Sequence, residues 1–567
     1  MPRNSASGPT FKFEGSEIPI APGATIAAAL TAAGEVALKH SRQGDLRGLF
    51  CGMGVCQECL VTVDQRPVTR ACMTAAGPGT RVSRAPALMQ LLGQRDGETP
   101  IEHQRHSDVL VIGGGPGGLS AAAVAAEAGL DVVLLDERAK LGGQYFKQPA
   151  SADSLPSADA QFAAGKRLIE RTAAAGVEVH NSTNVWGAFG LDAICAVSAA
   201  ERWRFECDAL ILAPGAYERG VPFPGWTLPG VMTTGAAQTL WRSYGVAPGA
   251  RVLVAGNGPL NMQVAAELTT GGVTVVGLAE LAPSPFPRRA GALAGMARAD
   301  PSLIRDGLRY RSVLARARVP VMYGSVVARV EGDQRAQVAV VTSVDGSGRT
   351  SGRERRVEVD AVCLGLGFVP SSEIARSLGC RHQYRADHGH LVTAVDACGV
   401  SSVENVWVVG DGAGIRGARH AQAQGQIAAF DVVRRLRGSV PGEMSQHEGE
   451  AIRAAARHQR FQDALARVFD APSLSDELTG PETHICRCEG VTRQAIETAL
   501  AEGAGHLGAI KRQTRAGMGP CQGRYCAPVI AAMLARGSGE PPSEFSGFAP
   551  SPPVKPVAIG DLLAVTE

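Results

Sequence analysis

Asp108 to Glu137 reads DVLVIGGGPGGLSAAAVAAEAGLDVVLLDE. The run VLVI predicts a buried strand, GGGPGG a tight turn, the alanine-rich stretch a helix, and DVVLLDE a second strand. Gly113, Gly115 and Gly118 occupy the three glycine places of G-x-G-x-x-G, with Gly117 beside the last. The first permits the turn, the second lets backbone approach a pyrophosphate, and the third allows close helix–strand packing. The following helix start supplies partial positive charge. Asp136, eighteen residues past Gly118, ends the second strand at the place of a ribose-binding acid, with Glu137 next to it. Strand, turn, helix and acid together specify a dinucleotide-binding βαβ unit.

A second unit of the same form runs from Ala250 to Glu280, ARVLVAGNGPLNMQVAAELTTGGVTVVGLAE. It keeps Gly256 and Gly258 but places Asn261 where the third glycine belongs, and its acid, Glu280, falls one position later. A side chain at Asn261 would push the helix from its strand, or its amide would contact a phosphate. A working NAD(P)(H) site, a site for another nucleotide and a structural relic all remain open for it. The repeat implies two nucleotide-type domains with parallel sheets, the second inserted into the first.

Three segments resemble the glutathione and thioredoxin reductase class of flavoproteins. They are Leu141-Gly142-Gly143-Gln144 after the first acid, Ala213-Pro214-Gly215-Ala216 after a strand, and VWVVGDGAG from Val406 to Gly414. The resemblance implies FAD at the first site, bound through Gly113, Gly115, Gly117, Gly118, Asp136, Glu137, Gly143, Gln144, Ala213, Gly215 and Gly410. Asp411 would meet the ribityl chain. That class carries a C-x-x-C or C-x-x-x-x-C pair beside the flavin. None of the five cysteines between 108 and 440 is so paired, so disulfide exchange is not expected. His420 is expected to pack or cap rather than react.

Eight of the thirteen cysteines fall into two groups. Cys51, Cys56, Cys59 and Cys72 are spaced C-x4-C-x2-C-x12-C, whose first three places match the plant-type [2Fe–2S] run. Gly52 and Gly54 let that loop turn its amides towards sulfur. Cys486, Cys488, Cys521 and Cys526 are spaced C-x-C-x32-C-x4-C and resemble the [2Fe–2S] domain of bacterioferritin-associated ferredoxin. Arg487, Lys511, Arg512 and Arg524 are expected near that centre. Structural zinc is the alternative at each group, although four-cysteine zinc sites usually show two short pairs. Cys195, Cys207, Cys363, Cys380 and Cys398 read as small core residues.

Working outward, Phe11 to Ile20 predicts a hairpin turning at Glu14-Gly15, and Thr25 to Ala33 a helix. LVTV at 60–63 and PVTRAC at 67–72 predict strands. The polar run GQRDGETPIEHQRHS, 93–107, reads as a linker. The expected division is a ferredoxin-like β-grasp domain over 1–97, a first FAD-binding part over 105–240 and an inserted dinucleotide-like domain over 241–345. A second FAD-binding part follows over 346–440, then a helical linker over 441–480, a small helical [2Fe–2S] domain over 481–535 and an extended surface tail over 536–567. The fold class is α/β throughout the centre.

Lys plus Arg total 56 against 54 Asp plus Glu, so the net charge of +2 gives no reason to expect a nucleic-acid partner. The N-terminus lacks the apolar core of a signal peptide, and no stretch approaches ~20 uninterrupted apolar residues. A cytoplasmic protein, at most peripheral to a membrane through partners, is the expectation.

The order of these parts resembles the large subunits of multisubunit amino-acid and amine dehydrogenases: opine oxidases, hydroxyproline dehydrogenase, hydrogen cyanide synthase and heterotetrameric sarcosine oxidase. The resemblance implies an electron-transfer flavoprotein with FAD and two [2Fe–2S] clusters. Substrate would be oxidised at a second FAD in a D-amino-acid-oxidase-type partner, with a quinone or carrier protein as acceptor. Sarcosine oxidase large subunits continue into a folate-binding domain. This sequence ends at Glu567, so folate-coupled oxidation is not expected. A self-contained NAD(P)H:acceptor reductase is the competing reading.

Overall fold

The computed structural model describes residues 8–64, 66–87, 101–151, 159–198 and 201–562. Its centre is a sheet in which Glu178–His180, Val132–Leu135, Ile101–Ile112 and Glu201–Leu212 lie side by side in parallel. Val406–Val408 adds a further parallel strand to Glu201–Leu212. The helices Pro116–Glu127 and Ala418–Arg437 cover one face. They cross where only glycine fits: a Cβ on Gly425 would lie 2.1 Å from the Gly117 carbonyl oxygen. That contact explains the small residues of the first helix, which would otherwise be chosen for propensity alone.

A second parallel sheet follows the order Val231–Thr233, Ala361–Gly365, Arg251–Gly256, Thr274–Glu280 and Val321–Tyr323. Two of its five strands lie outside the expected insertion of 241–345. Val231–Thr233 and Ala361–Gly365, placed by the sequence reading in the flanking FAD parts, are strands of this sheet. Both are short apolar runs, and nothing local to a strand states which sheet it will join. An antiparallel three-stranded ribbon, Ser325–Glu331, Val338–Val344 and Thr350–Glu358, adjoins it.

The expected linker is corrected in part. Residues 101–107 belong to the strand Ile101–Ile112, which pairs in register with Glu201–Leu212 along its whole length. Its polar residues are held by side-chain partners rather than by burial. His103 stacks on Trp203 with centroids 4.6 Å apart, and Arg105 pairs with Asp131 at 2.8 Å and Glu178 at 2.9 Å. The rest of that run and the boundary at 97 fall largely outside the described residues.

At the N-terminal end, Thr10–Phe13 and Ser16–Pro19 pair antiparallel around Glu14 and Gly15, within a five-stranded sheet. Thr25 caps the helix Ile26–Ala32 by accepting from Ala28 N at 3.3 Å. This domain does not stand apart. Phe11, Leu30 and Val61 share one buried cluster with Ala236, Val252 and Val264 of the second sheet and its helices. Each such side chain contributes ~1.5–3 kcal/mol on full burial. The long helix Ser445–Val468 leads to the C-terminal domain, whose helices are Arg493–Ala501, Leu507–Thr514 and Ala527–Ser538.

The tail is more than a surface strap. Val554 is buried, its N–H donates to Trp186 O at 2.7 Å, and Lys555 reaches Glu137 at 2.5 Å. Among the described residues, no helix is long and apolar enough to cross a membrane.

Candidate redox site

One cavity of about 1010 Å³ runs between the two sheets and is walled by parts from both ends of the chain. The first glycine loop opens into it. A Cβ on Gly113, at φ +109°, would lie 2.2 Å from Ala213 O, and one on Gly143, at φ +61°, 2.8 Å from Gly115 Cα. Gly115, by contrast, faces open space: a Cβ there would meet nothing nearer than Gly143 Cα at 3.9 Å. That clearance is what a pyrophosphate needs beside a helix N-terminus. Gly113, Gly115, Gly117, Asp136, Glu137, Gly143, Gln144, Ala213, Gly215, Gly410 and Asp411 all line the cavity, whereas Gly118 packs beneath the loop.

The acids divide the work. Asp136 accepts from Gly114 N at 2.6 Å and Arg138 N at 2.7 Å, so it first of all holds the loop. Burial raises its pKa. Glu137 instead receives Lys555 from the tail and, at 3.8 Å, Arg70 from the N-terminal domain. Although burial alone would raise Glu137, these cations hold it below the usual carboxylate range. Asp411 has no such partner among the described residues, and burial pushes it up to about 6. An acid left this way is suited to accept hydrogen bonds from ligand hydroxyls. His420 is buried in the same wall, 3.2 Å from Ala455 O, and burial lowers its pKa to about 4.

Between the first glycine loop and the N-terminal cysteine loop lies a polar group that sequence reading missed. Lys147 Nζ donates to Gln144 O at 2.5 Å and Gln238 Oε1 at 2.9 Å. Glu218 accepts from Gly235 N at 2.9 Å through both oxygens. Burial brings Lys147 down to about 7 and Glu218 up to about 7. Each follows closely on a quoted motif, Lys147 on Leu141 to Gln144 and Glu218 on Ala213 to Ala216, and burial is what singles them out.

The second glycine loop reaches the same cavity through Gly258 and Glu280, but Gly256 and Asn261 do not line it. Asn261 acts as a structural clamp between the helix and the sheet. Its Nδ2 donates to Gly365 O at 2.9 Å, and its Oδ1 accepts from Thr234 Oγ1 at 2.8 Å. Asn257 Nδ2 donates to Phe469 O at 2.9 Å, which brings the C-terminal end of the helix Ser445–Val468 onto the loop. Arg289 holds that end through Val468 O and Asp470 O, each at 2.6 Å. The loop therefore meets both the carbonyls of a helix C-terminus and the Arg289 guanidinium that caps them.

The cysteine groups are buried apart from half-buried Cys488. In the first, Cys51 is hydrogen-bonded to Cys56 and Cys59 to Cys72, giving two cysteine pairs. Backbone N–H groups of Cys56 and Glu58 donate to the sulfurs of Cys51 and Cys56 at 3.3 and 3.4 Å. In the second, Cys488 Sγ lies 3.7 Å from both Cys486 and Cys521, and Cys486 also meets Cys526. Two pairs with amide donors suit two bridged irons. Met53, Gly54, Val55 and Gln57 from the first loop, and Pro520 and Arg524 from the second, line the cavity. Arg487 and Arg524 lie at the second group as expected, whereas Lys511 lies over the Phe548 ring.

Comparison with known proteins agrees with this geometry. Residues 107–425 match the pyridine nucleotide-disulphide oxidoreductase family. Residues 9–86 match a 2Fe-2S iron-sulfur cluster binding domain, and 484–536 a BFD-like [2Fe-2S] binding domain. The chain is similar to hydrogen cyanide synthase subunit HcnB of Pseudomonas aeruginosa, 32% identical over 79% of this chain and 96% of that protein. It is similar to an opine oxidase subunit of Agrobacterium tumefaciens, 33% identical over 80% of this chain and 91% of that one. In fold it resembles L-proline dehydrogenase from P. horikoshii, with a TM-score of 0.71, 20% identity and coverage of 98% and 97%. The cofactors are therefore FAD and two [2Fe–2S] clusters, and the residues present fit all three.

Proposed function

This chain belongs to the pyridine nucleotide-disulphide oxidoreductase family, and we propose that it is the electron-transfer subunit of a multisubunit amine or amino-acid dehydrogenase. It is an oxidoreductase, and its relatives include subunits of hydrogen cyanide synthase and opine oxidase. The observation that carries the reading is the shared cavity, walled by the first glycine loop and by both cysteine loops. FAD takes up two electrons with a hydride, whereas a [2Fe–2S] cluster passes one at a time.

The residues supply position and protons. Gly113 to Gly118 and Asp411 hold the nucleotide, and the apolar wall excludes water. Lys147 Nζ and Glu218, both brought close to pH 7 by burial, hold or release a proton beside the first cysteine loop. The segment 108–440 carries no C-x-x-C or C-x4-C pair, so electrons leave through the clusters rather than through a dithiol. Substrate oxidation is assigned to a D-amino-acid-oxidase-type partner with its own FAD, and the final acceptor to a quinone or carrier protein. The protein would then work in the cytoplasm, with any membrane contact made by partners.

The test is anaerobic absorbance of the purified chain mixed with NADH or NADPH. No bleaching is expected in protein that dithionite reduces, because the second glycine loop is engaged by Phe469. Adding the partner flavoprotein and its amine is expected to bleach flavin and clusters together. Rapid bleaching by NADH alone would overturn the subunit reading in favour of a self-contained reductase.

A further inference from the structure

The two cysteine groups come from opposite ends of the chain and meet in one apolar core. Cys51, Cys56 and Cys521 belong to the same buried cluster, with Cys488 packed against it. Phe50 precedes Cys51 and Tyr525 precedes Cys526, and their buried rings meet edge to face with centroids 5.4 Å apart. Glu58, between Cys56 and Cys59, is 1% exposed and lies 3.1 Å from Lys39 Nζ and 3.5 Å from Arg487 Nη2. Arg487 sits between Cys486 and Cys488. Its guanidinium also covers the faces of Phe50 at 3.9 Å and Trp226 at 4.6 Å.

A fully buried ion pair contributes little net stability, because desolvation offsets its attraction. What the Glu58–Arg487 pair adds is register. It fixes one cysteine loop against the other from a residue inside each, and the planar guanidinium stacks on the ring that forms the contact. It also places positive charge between two groups of thiolates that would otherwise repel each other in a low-dielectric core.

We propose that the two [2Fe–2S] centres exchange electrons directly across this seam, with the Phe50–Tyr525 contact as the packed path and Arg487, held by Glu58, as the positioning residue. One electron crosses per event, oxidising one centre by one and reducing the other by one, with no bond made or broken. The proposal rests on the assignment of the clusters to these cysteines, so iron content is measured first. Cys59→Ser and Cys521→Ser are each expected to lose about half of the iron, one cluster of the two. Unchanged iron in either would fault the ligand assignment, not the relay.

The deciding experiment is low-temperature EPR of the full chain reduced with dithionite. Mutual splitting or broadening, and severalfold faster spin relaxation than in the two single-centre variants, are expected. A spectrum equal to the sum of those variants overturns the relay. Arg487→Ala is expected to retain its iron and lose most of the interaction, and Arg487→Lys to recover part of it. Undiminished interaction in either fully loaded variant overturns the positioning role. If Arg487→Ala does not fold, Arg487→Lys and the unaltered protein decide the two claims.

Discussion

The two glycine loops share a plan and differ in what occupies them. In the first, Asp136 takes the amides of Gly114 and Arg138; in the second, Glu280 takes those of Gly258 and Ala282 at 3.2 and 3.0 Å. The longer acid reaches one residue further round its turn, and the device is otherwise the same. The divergence lies at the third glycine place. Gly118 leaves no room, since a Cβ there would lie 1.9 Å from Gly113 O. Asn261 fills the corresponding place and spends its amide on Gly365 and Thr234. A helix end then closes on the loop through Asn257. Strand–helix packing is thus met by bare backbone at Gly118 and by a hydrogen-bonded amide at Asn261, while Gly258, like Gly115, keeps open space before it.

The strongest way to break this comparison is to make the same change on both sides. Gly118→Ala is expected to abolish flavin binding, because the added methyl collides with backbone rather than with a side chain that can move. Asn261→Ala removes one of the two donors to Gly365 O, the other being Asn257 N at 2.8 Å, and the acceptor of Thr234 Oγ1, and is expected to lower stability by about 1–3 kcal/mol, with flavin content unchanged. Flavin absorbance per chain and the urea midpoint read the two effects. Equal flavin loss in both variants would mean that both loops serve the nucleotide.

A smaller effect separates the acids by pH. Burial pushes Glu280 up to about 7 from an ordinary value of 4.5. The unfolded chain ionises first as pH rises, so this group favours folding least above about pH 7 and opposes it not at all below the ordinary range. The loss, of order 1–3 kcal/mol, accumulates between those limits. Glu280→Gln stays neutral and gives up one accepted hydrogen bond. The unaltered chain is therefore expected to have the higher thermal midpoint at pH 5, with the gap shrinking or reversing at pH 8. A constant gap would mean that the carboxylate is not buried as charge. Asp136→Asn is expected to lose flavin as well, which Glu280→Gln should not.

How much of this was legible in the sequence follows from range. The glycine turns, the helix within Thr25 to Ala33 and the cysteine spacings are local, and their chemistry depends on neighbours a few positions away. The strand through His103 and Arg105 was not legible, because its polar residues are held by Trp203, Asp131 and Glu178 from remote segments. Glu58 carries no local signal, and Arg487 stands as one cation among four, until the fold sets them against each other. Lys555 lay in a proline-rich tail whose composition suggests only exposure, yet it completes the wall at Glu137. Val231–Thr233 and Ala361–Gly365 were not legible as strands of the second sheet for the same reason: pairing partners are chosen at long range.

The smallest effect concerns Asn257, and it bears most directly on whether the second loop takes a nucleotide. Its Nδ2 ties the loop to Phe469 O, while its buried Oδ1 has no hydrogen-bond partner among the described residues. Asn257→Ala removes a bond of about 0.5–1.5 kcal/mol and also an unsatisfied acceptor, so the two changes partly cancel. Stability should fall by less than about 1 kcal/mol. What should change is access. Freed from Asn257, the helix end is left to its bonds with Arg289. Calorimetric titration with ADP is expected to show weak binding in Asn257→Ala and none in the unaltered chain, at the same flavin content. ADP binding of equal strength in both would mean that the helix end never closed the loop, and the contrast between the two glycine turns would have to be sought elsewhere than in Phe469.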